Sequence, residues 1–345
     1  MEPSVSRASF KRHLFLADKI VLLDGLTGTG KTMFSPLLSA MKGMQNPRFE
    51  YMFEYLSIAA YHQKISPDAA SSLLNLLADI KIYDGVISRD VNFRPSDLSG
   101  VFSNGKGYQY FKQLFRKDGD SAQELIEKEK PILFLVTHQI LSCLETLNNS
   151  FGERLKIIQM VRHPFYLVEH WLSYIGMHGS NSRDFTVWIS HEDGQVPWFA
   201  AGWEKDYLEM IDIERVVTSI ELLMCPVFEA YELNTKNVLF IPFEDFVLNP
   251  KNHLDSLESF IGTSFKSELQ GLMKSQKVPR KSVNDGPVKD IYKRYAFRGK
   301  LGLINDSEEY NLKIGAFRDK YPRKAIDKLE SISDRYHSNF GRWFN

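Results

Sequence analysis

The stretch Gly25-Leu-Thr-Gly-Thr-Gly-Lys-Thr32 constrains this chain more than any other. A short apolar run, Ile20 to Leu23, precedes it and stops at Asp24, and the residues after it, 33–41, are predicted to form a helix. Gly25, Gly30, Lys31 and Thr32 fill every fixed position of G-x-x-x-x-G-K-[ST]. Glycines let the backbone bend back so that successive N–H groups converge, and the new helix points its positive end at the same spot. Lys31 adds a full charge and Thr32 a hydroxyl. A bare strand-to-helix turn needs neither, so the segment predicts a phosphate cradle built from Gly28, Thr29, Gly30, Lys31 and Thr32.

The 43 acidic residues balance the 43 lysines and arginines, which argues against a nucleic-acid partner. Cys143 and Cys225 are the only cysteines, too few for a disulfide framework, and no C-x-x-C offers a zinc site. His163, His170 and His178 lack the H-x-x-x-H spacing that sets two imidazoles on one helix face, so no metal is expected. The segment 1–18 has no apolar core of signal-peptide length, and no run approaches a membrane span. These features predict a soluble, cytoplasmic protein; they set no oligomeric state.

Further buried strands are predicted at 132–136, 156–161 and 238–241, each followed by a helical pattern. Strand–helix alternation predicts an α/β fold, a P-loop-type parallel sheet flanked by helices on both faces. Residues 48–55 fit strand or helix. Ser66-Pro67-Asp68 predicts a helix start, with Leu73, Leu74, Leu77 and Ile80 as its apolar stripe. A helix over 212–231 is expected to restart at Pro226, and a C-terminal helix from Pro322 carries Ile326, Leu329, Ile332 and Tyr336. No repeat or linker interrupts the chain. The reading is one domain, 1–345, with a largely helical insertion at about 175–235 and a helical tail.

Ligands of such sheets bind beyond the carboxyl ends of the strands. Thr137-His138 follows the second apolar run, Arg162-His163-Pro164 the third, and Pro242-Phe-Glu-Asp245 the last. Histidine titrates near neutrality and suits a general base; arginine forks onto phosphate oxygens. Glu244 and Asp245 are read as structural braces, with magnesium binding as the alternative.

In this order the segments resemble the sulfotransferases that use adenosine 3′-phosphate 5′-phosphosulfate (PAPS). The glycine loop is similar to that family's K-S-G-T-T loop for the 5′-phosphosulfate. Val136-Thr137-His138 resembles its K-[ST]-H, and Met160 to Pro164 its R-x-P element at the 3′-phosphate. Phe243-Glu-Asp-Phe246 with Asn249-Pro250 resembles Y-E-D-L…N-P, and Pro279-Arg-Lys281 a late basic loop over the nucleotide. The likeness spans roughly residues 19–290. In the alignment the family's loop lysine falls on Gly28, so Lys31 has to supply the cation from three residues later.

The resemblance implies sulfuryl transfer from PAPS to a hydroxyl or amine of a small-molecule or glycan acceptor, leaving adenosine 3′,5′-bisphosphate, without a metal. The aromatic residues from Trp188 to Trp203 permit a carbohydrate, a lipid-linked sugar or a small aromatic alcohol as acceptor. The resemblance makes His138 and Lys31 the catalytic pair, and Arg162, His170, Ser173, Arg280 and Lys281 further nucleotide contacts. The loop by itself matches the consensus of an ATP-dependent P-loop kinase of a small molecule better than the sulfotransferase one, and that alternative stands beside it.

Overall fold

Full burial along consecutive residues marks the sheet. In a computed structural model, which describes residues 9–97, 99–180, 182, 184–287 and 305–344, seven strands run in chain order. They are β1 (Ile20–Asp24), β2 (Arg48–Phe49), β3 (Leu133–Val136), β4 (Leu155–Val161), β5 (Trp188–His191), β6 (Gly194–Pro197) and β7 (Val238–Pro242). Every residue of β1 and β3 is buried, as are six of the seven in β4. Side chains alternate between the two faces of a strand, so burial of all of them means that both faces are covered.

One five-stranded sheet has the order β2-β3-β1-β4-β7. β2 pairs parallel to β3, with Arg48 opposite Leu135, and β4 parallel to β7, with Met160 opposite Ile241. This is the α/β sheet that the strand–helix alternation predicts, and the glycine loop leaves its central strand. Residues 1–8, at the start of the segment read for a signal peptide, and residues 288–290, at the end of the family-like stretch, lie outside the described residues.

The contacts group the chain into two compact units: Met1–Leu22 with Gly43–Lys156, and Leu23–Lys42 with Ile157–Asn345. In the first, the ambiguous stretch at 48–55 divides: two residues form β2, and Tyr51–Tyr61 is a helix. Ser66 caps helix Pro67–Val86 through its hydroxyl, which accepts from Ala69 N at 3.4 Å. The stripe of that helix differs from the expectation. Leu73 and Ile80 are exposed, and the buried face is Ala70, Leu74, Asn75, Ala78, Asp79 and Ile82. Two polar residues turn the helix this way. The Asp79 carboxylate accepts from Leu16 N (2.7 Å), Ala17 N (2.9 Å) and Arg12, while Asn75 donates to Ser150 O (2.9 Å) and accepts from Arg154. A buried polar group with partners costs little, so hydrogen bonding overrides the apolar count.

In the second unit, helix Asp212–Glu232 packs on helices Pro164–Gly176 and Arg323–Phe340. It runs unbroken through Pro226, not restarted there. Val227 and Phe228 are buried directly after the proline, and their packing holds the helix across the one missing hydrogen bond. The 175–235 insertion also contains an antiparallel hairpin, β5 with β6, pairing Trp188 with Pro197. Ile326, Leu329, Ile332 and Tyr336 are buried along one face of the last helix, as expected. Among the described residues, no helix is long and apolar enough to cross a membrane.

Candidate active site

The glycine loop takes its shape from two close approaches. Gly25 has φ 146°, and a Cβ there would lie 2.5 Å from Met160 O on β4. Gly30 has φ 96°, and its Cβ would lie 2.4 Å from the Phe243 ring. Between them Thr29 closes the turn: its N–H and its hydroxyl both donate to Leu26 O, at 3.1 and 2.8 Å. Trp171, fully buried, donates its indole N–H to Thr27 O at 2.9 Å. The helix Lys31–Ser39 then starts at Gly30 with no side-chain cap. Such an N-terminus offers amide donors and a positive dipole end to an anion. Thr32, half-buried, stands in its first turn.

Lys31 is buried, and its ammonium bends back into the loop, donating to Gly25 O and to Leu26 O (3.1 Å). It reaches back toward the start of the loop, past Gly28. Arg162, one residue beyond β4, donates from Nη1 to Gly28 O at 2.9 Å. Its guanidinium lies 4.6 Å from the centre of the Phe243 ring, and that of Arg280 lies 5.5 Å from the same centre. Arg280 is fixed by its backbone N–H on Val247 O (2.7 Å) and by Nη1 on Val283 O (2.8 Å). One ring therefore covers Gly30 and carries two guanidinium groups. Three cations thus belong to the loop and its immediate lining.

Glu244 is the acid of this cluster, and it is fully buried. It accepts from His163 N (3.1 Å) and from the Tyr336 hydroxyl (2.8 Å), and Arg162 Nε lies 3.8 Å away. Burial pushes its carboxyl up from the ordinary range, against the pull of Arg162 and the two donors. Asp245 is bonded to His253 (2.7 Å) and Asn249 (3.0 Å). Each acid thus ties separate parts of the second unit together through hydrogen bonds.

His170 lies against the loop, its ring 3.1 Å from where a Gly28 Cβ would stand. Burial, then the charges of Arg162 and Lys31, push its pKa down to about 4. At neutral pH it can offer a ring N–H to an anion, but no charge. Ser173 is half-buried one turn further along the same helix, and Lys281 is exposed beside Arg280. Phe243 and Trp171 pack on and bond to the loop, and sequence reasoning did not single them out. Phe243 begins the Phe-Glu-Asp-Phe segment, which is a signal for it; Trp171 has none.

In the first unit, His138 follows β3. One carboxylate oxygen, Glu54 Oε1, accepts from both His138 N (3.0 Å) and Nδ1 (2.9 Å). A carboxylate only accepts, so Nδ1 carries a proton, and in the neutral imidazole the lone pair is on Nε2. The rings of Phe49 and Tyr51 stack with the imidazole at 5.9 and 6.1 Å. An imidazole held this way keeps one orientation.

Gly30→Ala is expected to destabilise the protein by about 2–3 kcal/mol, from backbone strain and the clash with Phe243. Urea denaturation measures it, and the cost should shrink in a Phe243→Leu background.

No protein-family model matches the chain, and no curated protein matches it. Solved structures do. A sulfotransferase domain of the Synechococcus PCC 7002 olefin synthase is 13% identical with a TM-score of 0.40, covering 92% of this chain and 100% of that one. Mouse sulfotransferase SULT7A1 complexed with PAP is 13% identical with a TM-score of 0.34, covering 93% and 84%. Retinol dehydratase, in complex with androsterone and PAP, is 15% identical with a TM-score of 0.36, covering 94% and 83%. At these values no residue role passes from those proteins to this chain.

Proposed function

We propose that this protein is a sulfotransferase that moves a sulfuryl group from PAPS to a hydroxyl or amine of an acceptor. The observation that carries the reading is the pair of guanidinium groups, Arg162 and Arg280, on the one ring that also covers the phosphate loop. A single terminal phosphate chain is served by the loop and Lys31. Two further fixed cations suit a nucleotide with a second, separate phosphate.

In this reading the amides of Gly28 to Lys31 and the Thr32 hydroxyl hold the 5′-phosphate. Arg162 and Arg280, with His170, Ser173 and Lys281, serve the 3′-phosphate. Lys31 exchanges its carbonyl partners for the bridging oxygen, where charge develops as the bond to sulfur breaks. His138 Nε2 takes the proton of the acceptor hydroxyl or amine as the new bond to sulfur forms. Positioning and charge stabilisation supply most of the rate, as in phosphoryl transfer.

Melting experiments test the donor. Adenosine 3′,5′-bisphosphate without magnesium is expected to raise the melting temperature, with about 2.7 kcal/mol of stabilisation at a hundredfold excess over Kd. A shift seen only with magnesium and ATP overturns the reading in favour of a kinase, whose loop consensus the chain also fills.

A further inference from the structure

A cleft of about 210 Å³ opens in the first unit, beside β2. Asn46, Arg48, Phe49, Glu50, Lys81 and Asp90 form most of its wall. Phe49 is also the ring stacked on His138. We propose that this cleft binds the acceptor, and that the acceptor presents to it one neutral polyhydroxylated ring, a sugar unit. Calling the ligand an acceptor rests on the sulfuryl-transfer reading; the ligand class rests on the cleft itself.

Charge decides first. Arg48 pairs with Asp90 at 3.0 Å, and Lys81 with Asp90 and Glu50 at 2.7 Å each. Two cations and two acids balance, so an anionic or cationic ligand finds no excess of the opposite sign. The wall still presents donors and acceptors side by side, which is what a hydroxyl needs, since it is both. Asn46 adds to this. It is buried, 4% exposed, its amide donates to Ser99 O at 2.7 Å, and its buried Oδ1 has no hydrogen-bond partner among the described residues. A buried acceptor left unmade costs free energy.

A flat aromatic alcohol fits less well: its ring would cover these polar groups without pairing them. A sugar gives its C–H face to Phe49 and its hydroxyls to the rest. Size points the same way. Drug-sized ligands occupy clefts of roughly 300–1,000 Å³, so this one accommodates a single ring, alone or at the end of a longer acceptor.

Saturation-transfer NMR on the whole protein, without donor, tests the proposal. The probes are methyl β-glucopyranoside, methyl β-galactopyranoside, methyl α-mannopyranoside and 4-nitrophenol. At least one glycoside is expected to bind, and Phe49→Leu and Asp90→Ala should each weaken it tenfold or more. Asp90 is on the surface, so its variant keeps the test open should Phe49→Leu fail to fold. Binding of 4-nitrophenol but of no glycoside overturns the proposal, as does glycoside binding that neither variant weakens. Glycoside binding that both variants weaken, in a protein that adenosine 3′,5′-bisphosphate does not stabilise, supports the cleft assignment and removes the donor reading alone.

Discussion

Replacing His138 with alanine is expected to lower sulfuryl transfer by about 10²–10⁴-fold, the usual worth of a general base. The shift in melting temperature produced by adenosine 3′,5′-bisphosphate should survive, because the proposed nucleotide contacts all lie elsewhere in the chain. Transfer of label from PAPS in an acceptor screen measures the first quantity, and thermal melting the second. Glu54→Gln separates orientation from charge. Glutamine still accepts from Nδ1 but no longer stabilises a protonated imidazole, so its rate should lie between wild type and His138→Ala. Unchanged turnover in His138→Ala removes this residue from the mechanism.

Arg162→Leu is expected to abolish the nucleotide shift and to destabilise the protein by about 3 kcal/mol at pH 8, since it strips a buried carboxylate of its cation. The pH dependence has a definite sign. The Glu244 pKa is raised in the folded state by burial. A raised acid contributes most below its unfolded value, and that contribution is lost as pH rises through the folded value. Without Arg162 the folded value rises further. The penalty should therefore be smaller at pH 5 than at pH 8, because a protonated Glu244 loses less with its cation. Urea titrations at the two pH values measure it, and a penalty that is flat or reversed rejects the coupling between Arg162 and Glu244. Arg162→Lys keeps the charge but not the fork, so it should retain more stability than nucleotide affinity.

The sheet and the loop were legible because both are local. Apolar runs, glycine spacing and the residues just beyond each strand need no knowledge of what packs where. The features that escaped depend on tertiary partners. Leu73 and Ile80 looked like core until Asp79 and Asn75 claimed the buried face through Arg12, Ala17 and Arg154. Pro226 looked like a break because its neighbours' packing is not written in the helix itself. Phe243 read as one residue of a motif; its role under two arginines emerges only when segments far apart in the chain meet. Trp171 holds Thr27 across 144 positions of sequence.

The shared ring has a further consequence for how this pocket can change over generations. Arg162 and Arg280 rest on one support, so substitutions at the two positions will not be independent. Losing Phe243 first loosens both, after which either arginine becomes cheaper to lose. Keeping Phe243 makes each loss costly on its own. The order in which substitutions are made then changes the cost of each, and Phe243, which carries no charge, sets it.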